Sequence, residues 1–274
     1  MQCIQANRAY TMRGIHGLHA SKKVMKMIVV RLFAILATLL ALPGQALGEP
    51  LKIATILGPP WGFMGSDGQP TGMMYEIGNR IAEVAGLRYT NSLVPYPRTA
   101  ADIENGSADM TIRFGNDQMT RGAVPAGVVV SMPIILVGPS GKNYSKLSEL
   151  RGKTVGVVRT SKYVEQFDTD NAIQKYPVND YVTMAKMLAM RRLDAGVGSS
   201  MGLFYGAYMA GVKPEDIGVP LVLGSNDFIL FVSKKTAKPE TTRALREALD
   251  KLSASGEIKQ IMSKYSKSFS LPQR

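Results

Sequence analysis

Apolar and polar positions change period repeatedly along the chain, and each change marks an element. Leu51–Ile56 alternates and is rich in Ile and Leu, the pattern of a strand. Met74, Ile77, Ile81 and Val84 recur at helical spacing and Gly86 stops them, which predicts a helix over Met73–Ala85. Arg88–Pro95 reads as a second strand, Thr99–Asn105 as a short helix ended by Gly106, and Ala108–Phe114 as a third strand. Turn residues fill the gaps: Pro59-Pro60-Trp61-Gly62 and Asp67-Gly68-Gln69-Pro70. Strand and helix alternate, which predicts a mostly parallel sheet covered by helices, an α/β fold.

A second α/β unit follows. Ile134–Val137, Thr154–Val158 and Ala195–Val197 read as strands, with a short one at Val182. Helices are expected from a Ser161 cap to about Ala172, over Met184–Arg192 and over Met201–Ala210. Then come a strand, Phe228–Val232, and two helices, Glu240–Leu252 and Ile258–Tyr265, split by Gly256. The simplest packing returns these last elements to the first unit. Lobe 1 is then 49–136 plus 233–274 and lobe 2 is 137–232, with hinge connections near Ile135–Gly138 and Phe231–Lys234. A cleft between two such lobes is a natural ligand site. Met73, Met74, Met184, Met187 and Met190 sit at helical spacing and read as core filler.

The N-terminus changes the picture. Lys26 and Arg31 flank an apolar run, Leu32–Leu42, that Pro43 breaks, and Ala46-Leu47-Gly48 supplies a small-residue cleavage site. This is the layout of a secretory signal, too short to span a membrane. Export to the periplasm with cleavage near Gly48-Glu49 is expected; the residues before Met25 fit no part of the signal and read as an extension. Removing 1–48 takes away Cys3, His16 and His19, which are the chain's Cys and His, so no Ser-His or Cys-His pair, ordinary zinc site or disulfide is expected. It also removes six basic residues and no acidic one, so the net charge falls from +12 to +6. No basic block suggests nucleic acid. No metal or other cofactor is expected.

The richest stretch for chemistry is Glu104–Arg121: a helix end, a turn at Gly106, a buried strand, then a polar loop closing on an arginine. Loops at the carboxyl ends of strands are where open α/β sheets bind ligands. Arg121 carries five fixed N–H donors suited to a carboxylate. Together with export, this predicts a protein that holds a small anionic or zwitterionic molecule.

Six segments, in order, resemble the family 3 solute-binding proteins, the periplasmic receptors of polar amino acid ABC transporters. They are Leu51-Lys-Ile-Ala-Thr55 with Pro59-Pro60-Trp61, Asp67-Gly68 through Gly72 to Ile77, Asn105-Gly-Ser-Ala-Asp109, Leu147-Ser-Glu-Leu-Arg-Gly-Lys-Thr-Val-Gly-Val157, and Arg192-Leu-Asp-Ala195. Val94-Pro-Tyr-Pro-Arg98 is similar to a branch with Pro-Trp-x-Arg at this place. The resemblance implies a two-lobed periplasmic binding protein fold with a two-strand hinge, a monomer, and a membrane permease as partner. It implies that Arg121, twelve residues after Asp109, grips the ligand's carboxylate, with Asn116 beside it. Ser161 would close over that carboxylate from lobe 2, or simply cap its helix. Trp61 and Phe63 are candidates for an aromatic floor.

The chain departs from the family at Ser199, where amino acid receptors have an aspartate for the α-ammonium. Either Asp117 substitutes, or the ligand lacks an ammonium. Arg98, Arg113 and Arg159 join Arg121 as cations near the expected cleft, with few acids to match, which favours an acidic ligand. The reading is a binding receptor without catalytic residues. The alternatives are a dehydratase-like enzyme on the same fold, for which Asp117, Glu76, Lys162 or Tyr163 would supply acid–base groups, and a ligand-sensing partner of a membrane receptor.

Overall fold

The computed structural model describes residues 49–266, and Met25 and Met27 before them. The expected signal segment and cleavage site otherwise lie outside the described residues. The chain divides into two compact units, Met1–Glu49 and Pro50–Arg274; the second carries the fold.

It opens with β1 (Leu51–Ile56), the hairpin β2 (Phe63–Met64) and β3 (Pro70–Thr71), and α1 (Met73–Val84). β4 (Tyr89–Val94), α2 (Tyr96–Asn105), β5 (Met110–Phe114) and the short α3 (Asp117–Gly122) follow. Then come β6 (Ala123–Val137), a 3-10 turn at Leu147–Leu150, β7 (Thr154–Val158) and α4 (Glu165–Asp168). β8 (Gln174–Val178), α5 (Tyr181–Ala189), β9 (Ala195–Ser199), α6 (Ser200–Met209) and a 3-10 turn at Pro214–Asp216 lead to β10 (Leu221–Ser233). The described chain ends with α7 (Pro239–Ala254) and α8 (Glu257–Ser266).

Eight strands form one sheet, in the order β4-β1-β5-β10-β6-β9-β7-β8. β4, β1 and β5 are parallel at one end, and β9, β7 and β8 at the other. Between them run β6 and β10, 15 and 13 residues long and antiparallel to each other. β10 pairs with β5 through Phe228–Val232, while β6 pairs with β9 through Ile134–Val137. Each long strand therefore serves both ends of the sheet, and their partners change across Ser131–Pro133 and Ser225–Asp227, a few residues ahead of the connections expected near Ile135–Gly138 and Phe231–Lys234.

Helix burial follows the sequence pattern. α1 buries Met73, Met74, Ile77 and Ile81, and α7 buries Leu245, Ala248, Leu249 and Leu252, the i, i+3, i+4 stripes of amphipathic helices. Met184 joins the core, but Met190 is 62% exposed, so helical spacing overstates its burial. Three expected elements differ. The helix from Ser161 is a loop, and α4 begins only at Glu165, because Tyr163 turns inward and takes the Val158 N–H on its hydroxyl at 2.9 Å. The strand expected at Val182 is the start of α5, with Asp180 Oδ1 accepting from the Thr183 N–H at 2.7 Å as its cap. The polar loop before Arg121 is α3, whose first turn is capped by Asn116 Oδ1 accepting from the Met119 N–H at 2.9 Å.

Candidate functional site

The carboxyl ends of β1, β5, β7 and β8 converge on one cleft. One wall is Leu57–Pro59 and Trp61 after β1, with Tyr96, Phe114 and Phe228. Facing it are Val158 and Ser161 after β7, and Asn179, Asp180 and Tyr181 after β8. The walls nearly meet: free space for a water centre is about 20 Å³, room for a single water.

The first wall is built by close backbone approach. The α1 amides of Met73 and Met74 donate to the Pro60 and Trp61 carbonyls at 2.7 and 2.9 Å, so the helix start fixes the loop. Gly72 allows this: at φ +129° a Cβ would stand 2.6 Å from Gly62 Cα. The loop holds Trp61 4% exposed, its ring centre 4.6 Å from that of Phe228, which lies 4.2 Å from Phe114. These three rings form an apolar wall.

The second wall rests on Tyr181. A Cβ on Gly198 or Gly202 would fall 2.3 or 2.4 Å from its ring, and one on Gly206 2.7 Å from its backbone. Three glycines four residues apart, across the end of β9 and the face of α6, thus make a slot for one tyrosine. The Tyr181 hydroxyl accepts from the Ser199 N–H at 3.3 Å. Burial pushes the Tyr163 and Tyr181 hydroxyls above the ordinary tyrosine range, so both stay protonated and neutral in this wall. Gly202→Ala is expected to overpack the slot and cost about 1–3 kcal/mol, read as a lower midpoint in urea unfolding.

Of the residues expected from sequence to bind, Trp61 and Ser161 line the cleft. Phe63 packs instead on Tyr205 and Tyr265, at ring distances of 6.0 and 6.4 Å. Arg98 is exposed and pairs with Asp102 at 3.4 Å, one helical turn on. Arg121 stands in the last turn of α3, 63% exposed, with Nε 3.3 Å from Glu104 Oε1. The short helix directs it to the end of α2 rather than to the cleft lining. Asn116 is spent on capping, Asp117 is exposed on the first turn of α3, and Arg159 is exposed. Ser199 is fully buried as the cap of α6, its Oγ accepting from the Gly202 N–H at 3.3 Å. Arg113 is fully buried behind Tyr96.

The acid on the cleft is Asp180, half-buried and capping α5. Sequence reading missed it, although Asn-Asp ahead of an apolar helical run is a cap signal. It also missed Tyr181, whose trace was the glycine spacing. The groups weighed for acid–base chemistry do not converge. Glu76 accepts from the Tyr265 hydroxyl and from Lys264 Nζ, and Tyr163 is inside the second wall. Among the described residues no His, Cys, Asp and Glu gather as a metal site, and no helix is long and apolar enough to cross a membrane.

A cleft at the carboxyl ends of two groups of parallel strands, joined by two long strands, defines a two-lobed α/β binding protein. The chain belongs to the bacterial extracellular solute-binding proteins, family 3, whose model matches residues 51–268. It is 22% identical over 210 residues, covering 73% of this chain and 77% of the other, to the probable amino-acid-binding protein YxeM of Bacillus subtilis strain 168. The fold is similar to that of a histidine kinase sensor domain with similarity to periplasmic binding proteins (TM-score 0.70, 17% identity, 80% of this chain and 96% of that one). It is also similar to the substrate binding protein of an amino acid ABC transporter (TM-score 0.66, 18% identity, 80% and 99%). The family is one of solute-binding proteins, and the Bacillus relative and the transporter neighbour carry names that refer to amino acids.

Proposed function

We propose that this chain is an exported receptor that captures a small carboxylate-bearing solute, an amino acid or related organic acid, between two lobes and delivers it to an ABC permease. The observation that carries this reading is the cleft. Its lining comes from strand ends on both sides of the β6–β10 pair, and rotation about Ser131–Pro133 and Ser225–Asp227 would open and close it. The solute favours closure only by binding the closed state more tightly than the open one. Tyr205 on α6, with Phe63 and Tyr265 across from it, adds an aromatic contact that supports the closed form.

A thermal-shift screen of residues 49–274 against amino acids, their deaminated and N-acylated analogues, and small di- and tricarboxylates tests it. At least one carboxylate is expected to raise the melting temperature by mass action. No shift from any compound would remove the reading. For a hit that carries an α-ammonium, Asp180→Asn is expected to weaken binding about tenfold, while deaminated analogues are unaffected. Asparagine keeps the helix cap, so the fold is preserved. A second reading, delivery of the bound signal to a membrane sensor, draws support from the likeness to a kinase sensor domain. It shares the binding chemistry and differs in the partner.

A further inference from the structure

Among the described residues, two buried side-chain polar atoms lack a hydrogen-bond partner: Arg113 Nη2 and the Tyr96 hydroxyl. They belong to touching side chains. The Arg113 guanidinium carbon stands 4.1 Å from the centre of the Tyr96 ring. Tyr96 lines the cleft, and so does Phe114, the residue after Arg113.

Arg113 itself is fully buried. Its Nε donates to the Phe114 carbonyl at 3.1 Å, and its Nη1 to the Tyr96 carbonyl at 3.1 Å and to Thr99 Oγ1 at 2.7 Å. All three acceptors are neutral. None of the ion pairs among the described residues includes it. A guanidinium removed from water without a counter-ion costs several kcal/mol. A brace between β5 and α2 could be made by a neutral side chain, so bracing alone does not account for a charge here. The remaining donors, the two N–H of Arg113 Nη2 and the Tyr96 O–H, belong to a stacked pair of side chains of which Tyr96 lines the cleft beside Trp61, Phe114 and Phe228. That is the layout of an anion anchor.

We infer that Arg113 and Tyr96 hold the carboxylate of the cleft's solute, and that the solute is a small carboxylate with an apolar or aromatic body. This rests on the receptor reading above and names the charge that the site recognises. The carboxylate neutralises the buried cation as the cleft opens to admit it. The Trp61, Phe114 and Phe228 rings take the apolar body. Arg121, exposed and paired with Glu104, plays no part in this contact.

The test is a titration of 3-phenylpropionate and 4-methylpentanoate, each against its primary amide, on the wild-type chain and on Arg113→Gln and Tyr96→Phe. The carboxylates are expected to bind wild type about tenfold or more tighter than the amides. That preference should fall to about one in Arg113→Gln, and carboxylate binding should weaken about tenfold in Tyr96→Phe. The preference ratio is insensitive to a general loss of affinity. Tyr96→Phe removes only one unpartnered hydroxyl, so it decides the matter even if Arg113→Gln does not fold. Equal binding of acids and amides, or a preference that survives Arg113→Gln, or unchanged affinity in Tyr96→Phe, overturns the anchor and leaves the receptor intact. If no acid or amide binds the folded wild-type chain, the apolar solute class falls. The wider screen above then shows whether the receptor reading falls with it.

Discussion

Phe228→Ala is expected to lower stability by about 3–5 kcal/mol, the usual cost of emptying a packed aromatic site. Phe228 is 2% exposed and sits between Trp61 and Phe114, with ring centres 4.6 and 4.2 Å away. It lies on β10, where Phe228 pairs with both Phe114 of β5 and Val130 of β6. Its loss therefore opens a void beneath the cleft wall, next to the change of strand partners. Urea unfolding checks the size of the effect. Solute binding should weaken as well, because Trp61 loses the ring that holds it. A cost below 1 kcal/mol would mean that the wall collapses around the gap and that its shape is not fixed by these rings.

The second large effect is alkaline. Burial raises the hydroxyls of Tyr163 and Tyr181, and burial followed by the hydrogen bond with Glu76 pushes Tyr265 up to about 12. Tyrosine in the unfolded chain titrates near pH 10. A group whose folded value is raised contributes stability that is whole below the unfolded value and is lost as pH rises towards the folded one. Each tyrosine held neutral in the fold but ionised when unfolded costs about 1.4 kcal/mol per pH unit above 10. The two fully buried ones together lose about 3 kcal/mol per unit on the same arithmetic, against a total stability of about 5–15 kcal/mol. Circular dichroism should show cooperative unfolding between about pH 10 and 12, accompanied by tyrosinate absorbance. Tyr181→Phe should move the midpoint upward. Tyrosinate appearing while the fold remains intact would contradict the burial of these rings.

Much of the first half was legible because local pattern and tertiary role agree there. β1 occupies Leu51–Ile56 as its alternation predicts, and α1 follows the apolar stripe from Met73. The long strands were harder. Pro125, Gly127 and Pro133 interrupt β6 in sequence, and such residues normally end a strand. Here register shifts between Phe228 and Ile229 and between Leu230 and Phe231 on β10 accommodate the irregular segment. Those shifts depend on the partner strand and leave no local signature.

At the site, the strand ends that meet at the cleft were legible and the directions of the side chains were not. Arg121 keeps the expected count from Asp109, but a count along the chain does not fix direction. A cap at Asn116 turns the segment into a helix, and Glu104 captures the guanidinium. Arg113 was visible as one arginine in an apolar strand. That its partners are all neutral depends on α2 folding back over β5. Tyr181 and Asp180 follow a strand, Gln174–Val178, that the pattern missed because Lys175 and Pro177 break its alternation.

For a solute bound between the walls of this cleft, the chain carries its own reporter. Trp61 is the single tryptophan and lines the cleft against Phe228. The decisive measurement follows Trp61 fluorescence while the compound that most raises the melting temperature is titrated. A saturable change with one-to-one stoichiometry, at the same affinity that calorimetry gives, is the result expected of a ligand in the cleft. Calorimetric binding with unchanged Trp61 emission would place the solute outside the cleft.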